Sequence, residues 1–144
     1  MSISAIFPGL SDNPDAKLED YLFFFTNYEK NYWEEHGGDG SFEFKSEQGN
    51  VILFFFECFG QGISLRYDFN IPDIKSGTCW YSIGDKNSIT NLIDVNEGLF
   101  IPQGSCLSPE LALSVIGDFF KNPLEKSLKV EWINADDIDW SSVY

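Results

Sequence analysis

The residues that could do chemistry are few in this chain and lie far apart along it. A nucleophile needs a base within hydrogen-bond reach, and the only histidine, His36, precedes two glycines at the end of a predicted helix. There we expect it to cap the helix and interact with the helix dipole. The cysteines, Cys58, Cys79 and Cys106, include no CxxC pair and do not match a zinc site. We expect reduced thiols, with Cys58 and Cys79 acting as small hydrophobic residues in apolar strands.

Acidic side chains are the remaining candidates for catalysis or metal binding. Glu57 lies in the apolar run VILFFFECF at 51–59, where an isolated carboxyl group could serve acid–base chemistry. A strand-end position with the carboxylate in water is more common, and we expect it here. The run DDID at 136–139 lacks the glycine and the twelfth-position glutamate of a calcium loop. No GxSxG, GxGxxG or GxxxxGKS motif is present. The sequence therefore predicts a protein that is not an enzyme and uses no metal or cofactor.

A first helix is predicted between Asn13 and His36. Asn13 is a suitable N-cap, Pro14 suits the first helical position, and the glycines after His36 suit the C-terminal cap. Phe23 falls beside the apolar stripe, either at the border of a wide buried face or as an exposed contact, and we favour the border. The stripe itself has residues three and four apart, as one buried helix face requires: Leu18, Tyr21, Leu22, Phe25, Tyr28 and Tyr32.

Most of the remaining chain has the patterns of β-strands. A second helix begins at Ser108-Pro109-Glu110, a cap followed by proline and an acid, and ends at Lys121. This order of elements predicts an α+β fold, an antiparallel sheet with two main helices packed on one face, in a single domain over residues 1–144. The strands are predicted from alternating or continuous apolar patterns at 41–45, 51–59, 63–69, 78–83, 91–95 and 127–133.

The central strands are expected to form a hairpin with two different faces. Pairing Phe59 with Ile63 places Phe55 opposite Tyr67 on an apolar face, which we assign to the core under the helices. The second face mixes apolar and charged side chains, so it is a candidate for an exposed or partner-covered surface. Its members are Ile52, Phe54, Phe56 and Cys58 opposite Ser64, Arg66 and Asp68.

The charge balance excludes some classes of partner. The chain has 9 basic and 23 acidic residues and a formal net charge of −14. Nucleic acids and anionic membranes are bound through Lys and Arg, so neither is an expected partner. Acidic surfaces attract basic proteins, although this charge could also serve only to keep an aromatic-rich domain in solution. Residues 1–30 lack the basic and apolar regions of a signal peptide, so we expect a cytoplasmic protein.

Residues 95–132 have a strand with a proline turn, a helix that ends in Phe-Phe, and a strand that closes on Val-x-Trp. This pattern resembles the C-terminal half of the first-numbered immunity protein family of bacterial polymorphic toxin and contact-dependent inhibition systems. The family often has Thr-Gly-x-x-Pro after the helix, where this chain has Lys121-Asn122-Pro123. The matching residues are Pro102, Pro109, Ala112, Phe119, Phe120, Val130 and Trp132.

The resemblance implies an immunity protein that binds and neutralises a cognate toxin domain, for example a nucleic-acid deaminase or a nuclease. A basic toxin would suit the acidic chain, and we expect the free protein to be a monomer. The alternative is an acidic secretion chaperone for an effector, although such chaperones typically dimerise and end in a helix. Trp132 is assigned to the core, and the residues after Asn134 to an acidic and aromatic tail. The candidate toxin contacts combine acids with an aromatic residue: Glu34, Glu35, Asp39, Asp136, Asp137, Asp139 and Trp140.

Overall fold

The computed structural model describes residues 1–144 and confirms an α+β fold built on an antiparallel sheet. Three α-helices are present: α1 (Leu22–Thr26), α2 (Lys30–Glu35) and α3 (Pro109–Lys121). The first five strands are β1 (Ile3–Ile6), β2 (Asp39–Ser46), β3 (Gly49–Glu57), β4 (Ile63–Asn70) and β5 (Cys79–Ile83). The other four are β6 (Leu92–Asn96), β7 (Leu99–Pro102), β8 (Cys106–Leu107) and β9 (Glu131–Asn134).

The main sheet has the strand order β1-β2-β3-β4-β5-β9, and the short strand β8 also pairs with β4. All of these pairs are antiparallel. Strands β6 and β7 form a separate hairpin. Strand β1 was not predicted, because it has only four residues and little alternation.

The helices pack on one face of the sheet, as predicted, and we call this the inner face. α3 begins as expected, with Pro109 in its first turn and the Ser108 hydroxyl accepting a hydrogen bond from the Leu111 N–H at 3.2 Å. Phe55 of β3 and Trp33 of α2 are fully buried in the same core. Their rings are 5.8 Å apart and nearly perpendicular, a favourable geometry for aromatic pairs.

The prediction of one continuous helix from Asn13 to His36 is wrong. Asn13 pairs with Ala5 as an extended segment, and the Ala16 N–H donates to the Ile3 carbonyl at 2.7 Å. These bonds cover the outer edge of β1, which would otherwise leave its backbone groups unpaired. The helical part is divided into α1 and α2, and Phe23 is exposed rather than at the border of a buried face.

The hairpin of β3 and β4 is shifted by two residues from the predicted register. Phe55 lies opposite Leu65, and Glu57 lies opposite Ile63. Since side chains alternate with a period of two, the shift leaves every residue on its predicted face. The shift arises because the turn is longer than predicted and includes Phe59.

The second face of the sheet, here called the outer face, is partly covered by the chain itself. The β6–β7 hairpin and the C-terminal segment bury Phe56, Cys58 and Tyr81 in a second, smaller core. A disulfide joins Cys58 to Cys106, so the expectation that these cysteines are unpaired and reduced is wrong.

The last strand also departs from its prediction. β9 begins at Glu131, four residues later than predicted, and Leu128 lies outside it with 99% of its surface exposed. Trp132 is half-buried against the main core, as predicted, and its indole N–H donates to the Ser127 carbonyl at 2.8 Å. That bond holds the preceding loop in an irregular conformation in which Leu128 points to solvent.

Candidate partner-binding surface

The uncovered half of the outer face presents apolar and acidic side chains together. Ile6 lies opposite Ser41 in the β1–β2 pair, and Ser41 lies opposite Phe54 in the β2–β3 pair. One row further along, Glu43 lies opposite Ile52. Opposed residues of antiparallel strands share a face, so these five residues form one surface, which we call the outer patch. Ile6 is 56% exposed, and the other four are half-buried.

A charged pair borders the outer patch on β4. The Arg66 guanidinium donates from Nε to Asp68 Oδ1 at 3.0 Å and from Nη2 to Oδ2 at 3.2 Å. It also lies 4.4 Å from the ring centroid of Phe54, a distance typical of a cation–π contact. Arg66 therefore fixes Phe54 in place while Asp68 neutralises the guanidinium charge.

Cys79 lies opposite Asp68, but the site does not suit nucleophilic chemistry. Burial, and after it the charge of Asp68, raise the pKa of the Cys79 thiol to about 12. A thiol attacks as its thiolate, so Cys79 is protonated and inert near neutral pH. The Arg66–Asp68 pair and Cys79 therefore provide no activated nucleophile beside the outer patch.

Glu57 is buried, contrary to the expectation that its carboxylate lies in water. It is 5% exposed, and its Oε2 accepts hydrogen bonds from the Tyr28 hydroxyl at 2.6 Å and the Gly60 N–H at 2.7 Å. Burial and the neighbouring carboxylate raise the pKa of Tyr28, so the phenol remains a donor. These bonds hold the β3–β4 turn to the segment between α1 and α2.

The predicted contact residues on either side of Gly37 and Gly38 are divided between two surfaces. Glu34 and Glu35 are exposed at the end of α2, on the helix side, and Glu34 Oε1 is 3.5 Å from Lys30 Nζ. Asp39 begins β2 opposite Phe56, so it lies on the outer face at the edge of the outer patch. Burial raises the pKa of Asp39, which is half-buried there.

The C-terminal residues do not form a separate tail. Ile138 is buried, and the Trp140 ring packs against Tyr81 with centroids 5.8 Å apart. The Trp140 indole N–H donates to the Ala135 carbonyl at 3.0 Å. Trp140 is therefore half-buried as part of the cover over the outer face.

The three predicted C-terminal acids are exposed but belong to this folded segment. Asp136 accepts a hydrogen bond from the Gly77 N–H at 2.7 Å, and its charge acts on the Cys79 thiol. Asp137 and Asp139 are also exposed, and hydrogen bonds from the neighbouring Ser141 lower the pKa of Asp139. The structure thus places these acids at the β5–β9 side of the sheet.

The two predicted acidic groups lie at different ends of the outer face. Asp39 belongs to the row of opposed residues across the sheet that contains Phe56. Asp136 lies beside Cys79, which belongs to the row that contains Ile52. Four residues of a strand separate those rows, which corresponds to about 13 Å. The structure therefore does not unite the predicted contacts into one cluster.

Ile6, Ser41 and Glu43 were missed as surface residues because β1 was not predicted and β2 had no assigned faces. The useful signal was the mixture of apolar and charged residues on the second face of β3 and β4, which includes Ile52 and Phe54. Extending that alternation across β2 would have added Glu43 to the same face.

No family model, curated protein or solved structure matches this chain. The resemblance to the immunity protein family therefore stays a prediction. No three His, Cys, Asp or Glu side chains come together as ligands for a metal ion. None of the helices is long and apolar enough to cross a membrane.

Proposed function

We propose that this protein binds and neutralises a basic protein domain, as an immunity protein does with its cognate toxin. The observation that carries the proposal is the outer patch, where Ile6, Ile52 and Phe54 remain accessible beside Glu43. Apolar and aromatic residues form the common core of a protein interface, and an acid beside them favours a basic partner.

The overall charge supports the same class of partner. With 23 acidic and 9 basic residues, the chain attracts a basic domain before contact and speeds their encounter. Toxins that act on nucleic acid commonly carry basic substrate channels. In this proposal the protein acts by occupying or covering such a domain, without catalysis of its own, in the cytoplasm where the toxin would act.

Co-expression with a toxin domain encoded by a neighbouring gene would test the proposal. Wild-type protein should restore the growth of cells that produce the toxin domain. Glu43→Lys should weaken the protection, because it reverses one charge on the outer patch. Glu125→Lys is the matched control, since it makes the same change of charge at an exposed position in the loop after α3.

Purified proteins would then separate binding from other causes of rescue. We expect the affinity of the wild-type protein for the toxin domain to fall as salt is raised, because salt screens exposed charges. Absence of both binding and rescue by the wild-type protein would contradict the proposed function. Equal protection by both variants would leave the function standing and remove the outer patch from the interface.

A further inference from the structure

The turn between β3 and β4 places an aromatic residue in a strained backbone conformation. The Gln61 N–H donates to the Cys58 carbonyl at 3.0 Å, and the two residues between them, Phe59 and Gly60, have φ of 52° and 83°. Positive φ at both central positions defines a type I′ turn, in which glycine and asparagine predominate. A bulky residue there is an outlier, and the left-handed conformation strains its backbone.

The Phe59 ring packs only in part against the rest of the fold. The Phe59 side chain is 50% exposed and takes part in none of the aromatic pairs of the core. An asparagine at this position would adopt the same backbone more easily and would interact better with water. Strained residues that are not required for packing are concentrated at functional sites. The exposed ring therefore calls for an explanation outside the folded chain.

Three fixed contacts hold the turn in place. The buried Glu57 carboxylate accepts the Gly60 N–H at 2.7 Å and is itself held by the Tyr28 hydroxyl at 2.6 Å. The residue before Phe59, Cys58, is bonded to Cys106. Gly62, on the other side of the turn, packs so closely on Leu107 that a Cβ atom would collide with its carbonyl oxygen. The ring is therefore presented from a rigid support, which limits the entropy lost on binding.

Acids outnumber bases on the helix beside the turn. Gly60 lies against the Lys30 side chain, whose ammonium group is 3.5 Å from Glu34. Glu29 and Glu35 are also exposed on or beside the same short helix, α2, without a salt bridge. The three carboxylates and one ammonium group on and beside α2 sum to a net negative charge, which favours a basic partner.

We propose that Phe59 is an anchor residue that inserts into an apolar recess, bordered by Lys or Arg, on the basic partner. This inference rests on the proposed function and adds a second contact to it, at the end of the sheet near Asp39. Aromatic anchors in a partner's pocket supply a large part of binding energy. Glu57 and Tyr28 act as positioning residues, because they hold the turn through hydrogen bonds to the buried Glu57 carboxylate.

Phe59→Asn tests the anchor and the strain at once. We expect its melting temperature to rise by about 3 °C, because asparagine adopts the left-handed backbone with less strain than phenylalanine does. We also expect its affinity for the adjacent-gene toxin domain to fall by about 30-fold or more, the loss typical of an interface anchor. The affinity would be measured by calorimetric titration.

Phe23→Asn is the matched control, since Phe23 is 63% exposed but lies in α1 with ordinary helical backbone. It should not raise the melting temperature and should leave the affinity unchanged. Unchanged affinity of Phe59→Asn, or an equal loss with Phe23→Asn, would overturn the anchor while the proposed function stands. A melting temperature of Phe59→Asn that does not rise would overturn the argument from strain. A wild-type protein that does not bind the toxin domain would overturn the proposed function and the anchor together.

Discussion

Breaking the bond between Cys58 and Cys106 should destabilise the protein by an amount that follows from the length of the loop it closes. The two cysteines are 48 residues apart in sequence. In the chain-entropy model, opening a loop of that length raises the conformational entropy of the unfolded state. The free energy of unfolding falls by about 4 kcal/mol as a result. For 144 residues the entropy of unfolding is about 0.3 kcal/mol/K, so the melting temperature should fall by about 13 °C.

Thermal unfolding followed by circular dichroism would measure this shift in two independent ways. The wild-type protein would be compared with and without a reducing agent, and then with the double variant Cys58→Ala/Cys106→Ala. The variant and the reduced wild-type protein should melt at similar temperatures, because both lack the same cross-link. Cys79→Ala is the control, since Cys79 is the one free cysteine and should leave the response to reductant intact.

The reasoning would be refuted by a reductant that leaves the melting temperature of the wild-type protein unchanged. Detection of three free thiols in the non-reduced protein would refute the pairing of Cys58 with Cys106. Trapping of thiols in intact cells would extend the test to the cell compartment. Disulfides are rare in the cytosol, so a fully oxidised Cys58–Cys106 pair in cells would contradict the proposed cytoplasmic location.

Two substitutions test the packing around the β3–β4 turn, and a rise in pH tests the burial of two tyrosines. Tyr28→Phe should lower the free energy of unfolding by about 2 kcal/mol in denaturant titrations, because Glu57 loses a hydrogen bond to its charged group. Gly62→Ala should lower it by about 2–4 kcal/mol, since its φ of 123° disfavours a side chain and the Cβ atom would collide with Leu107. The free energy of unfolding should also fall as the pH rises above about 10, the ordinary pKa of tyrosine. Burial raises the pKa of Tyr28 and Tyr67 in the folded chain. Above that pH the unfolded chain therefore releases protons that the folded chain keeps.

Each of these changes has a reference measurement. Gly77→Ala is the control for the collision, because Gly77 also has positive φ but has open space around it. An equal loss of stability in both glycine variants would attribute the effect to backbone strain alone. Constant stability between about pH 9 and about pH 11 would contradict the burial of the two tyrosines. A Tyr28→Phe variant as stable as the wild-type protein would show that the buried carboxylate does not depend on the phenol.

Elements with strong local signals could be predicted from the sequence. Ser108 and Pro109 mark the start of α3 in the same way in the sequence and the structure. The faces of β3 and β4 also follow directly from the alternation of their residues. The N-terminal region could not be predicted in this way, because the pairing of Asn13 with Ala5 depends on a strand of four residues whose own pattern is weak.

The candidate surface was only partly predictable, for a different physical reason. Charge clusters in sequence identify exposed acids such as Asp136 and Glu35, but they carry no information on which acids share a face. Glu43 belongs to the outer patch only through its pairing with Ile52, which requires the sheet register. Likewise, Phe59 could not be recognised as strained before the turn geometry was known.

The affinity of the outer patch for the toxin domain is the most direct test of the account. Calorimetric titrations would compare wild-type protein with Ile6→Lys, which adds a positive charge at the most exposed apolar position of the outer patch. Leu128→Lys makes the same substitution of an exposed aliphatic residue at a site outside the patch. We expect Ile6→Lys to weaken binding by at least about tenfold, or about 1.4 kcal/mol, and Leu128→Lys to bind like the wild-type protein. Equal affinities of all three proteins for the toxin domain would contradict the account.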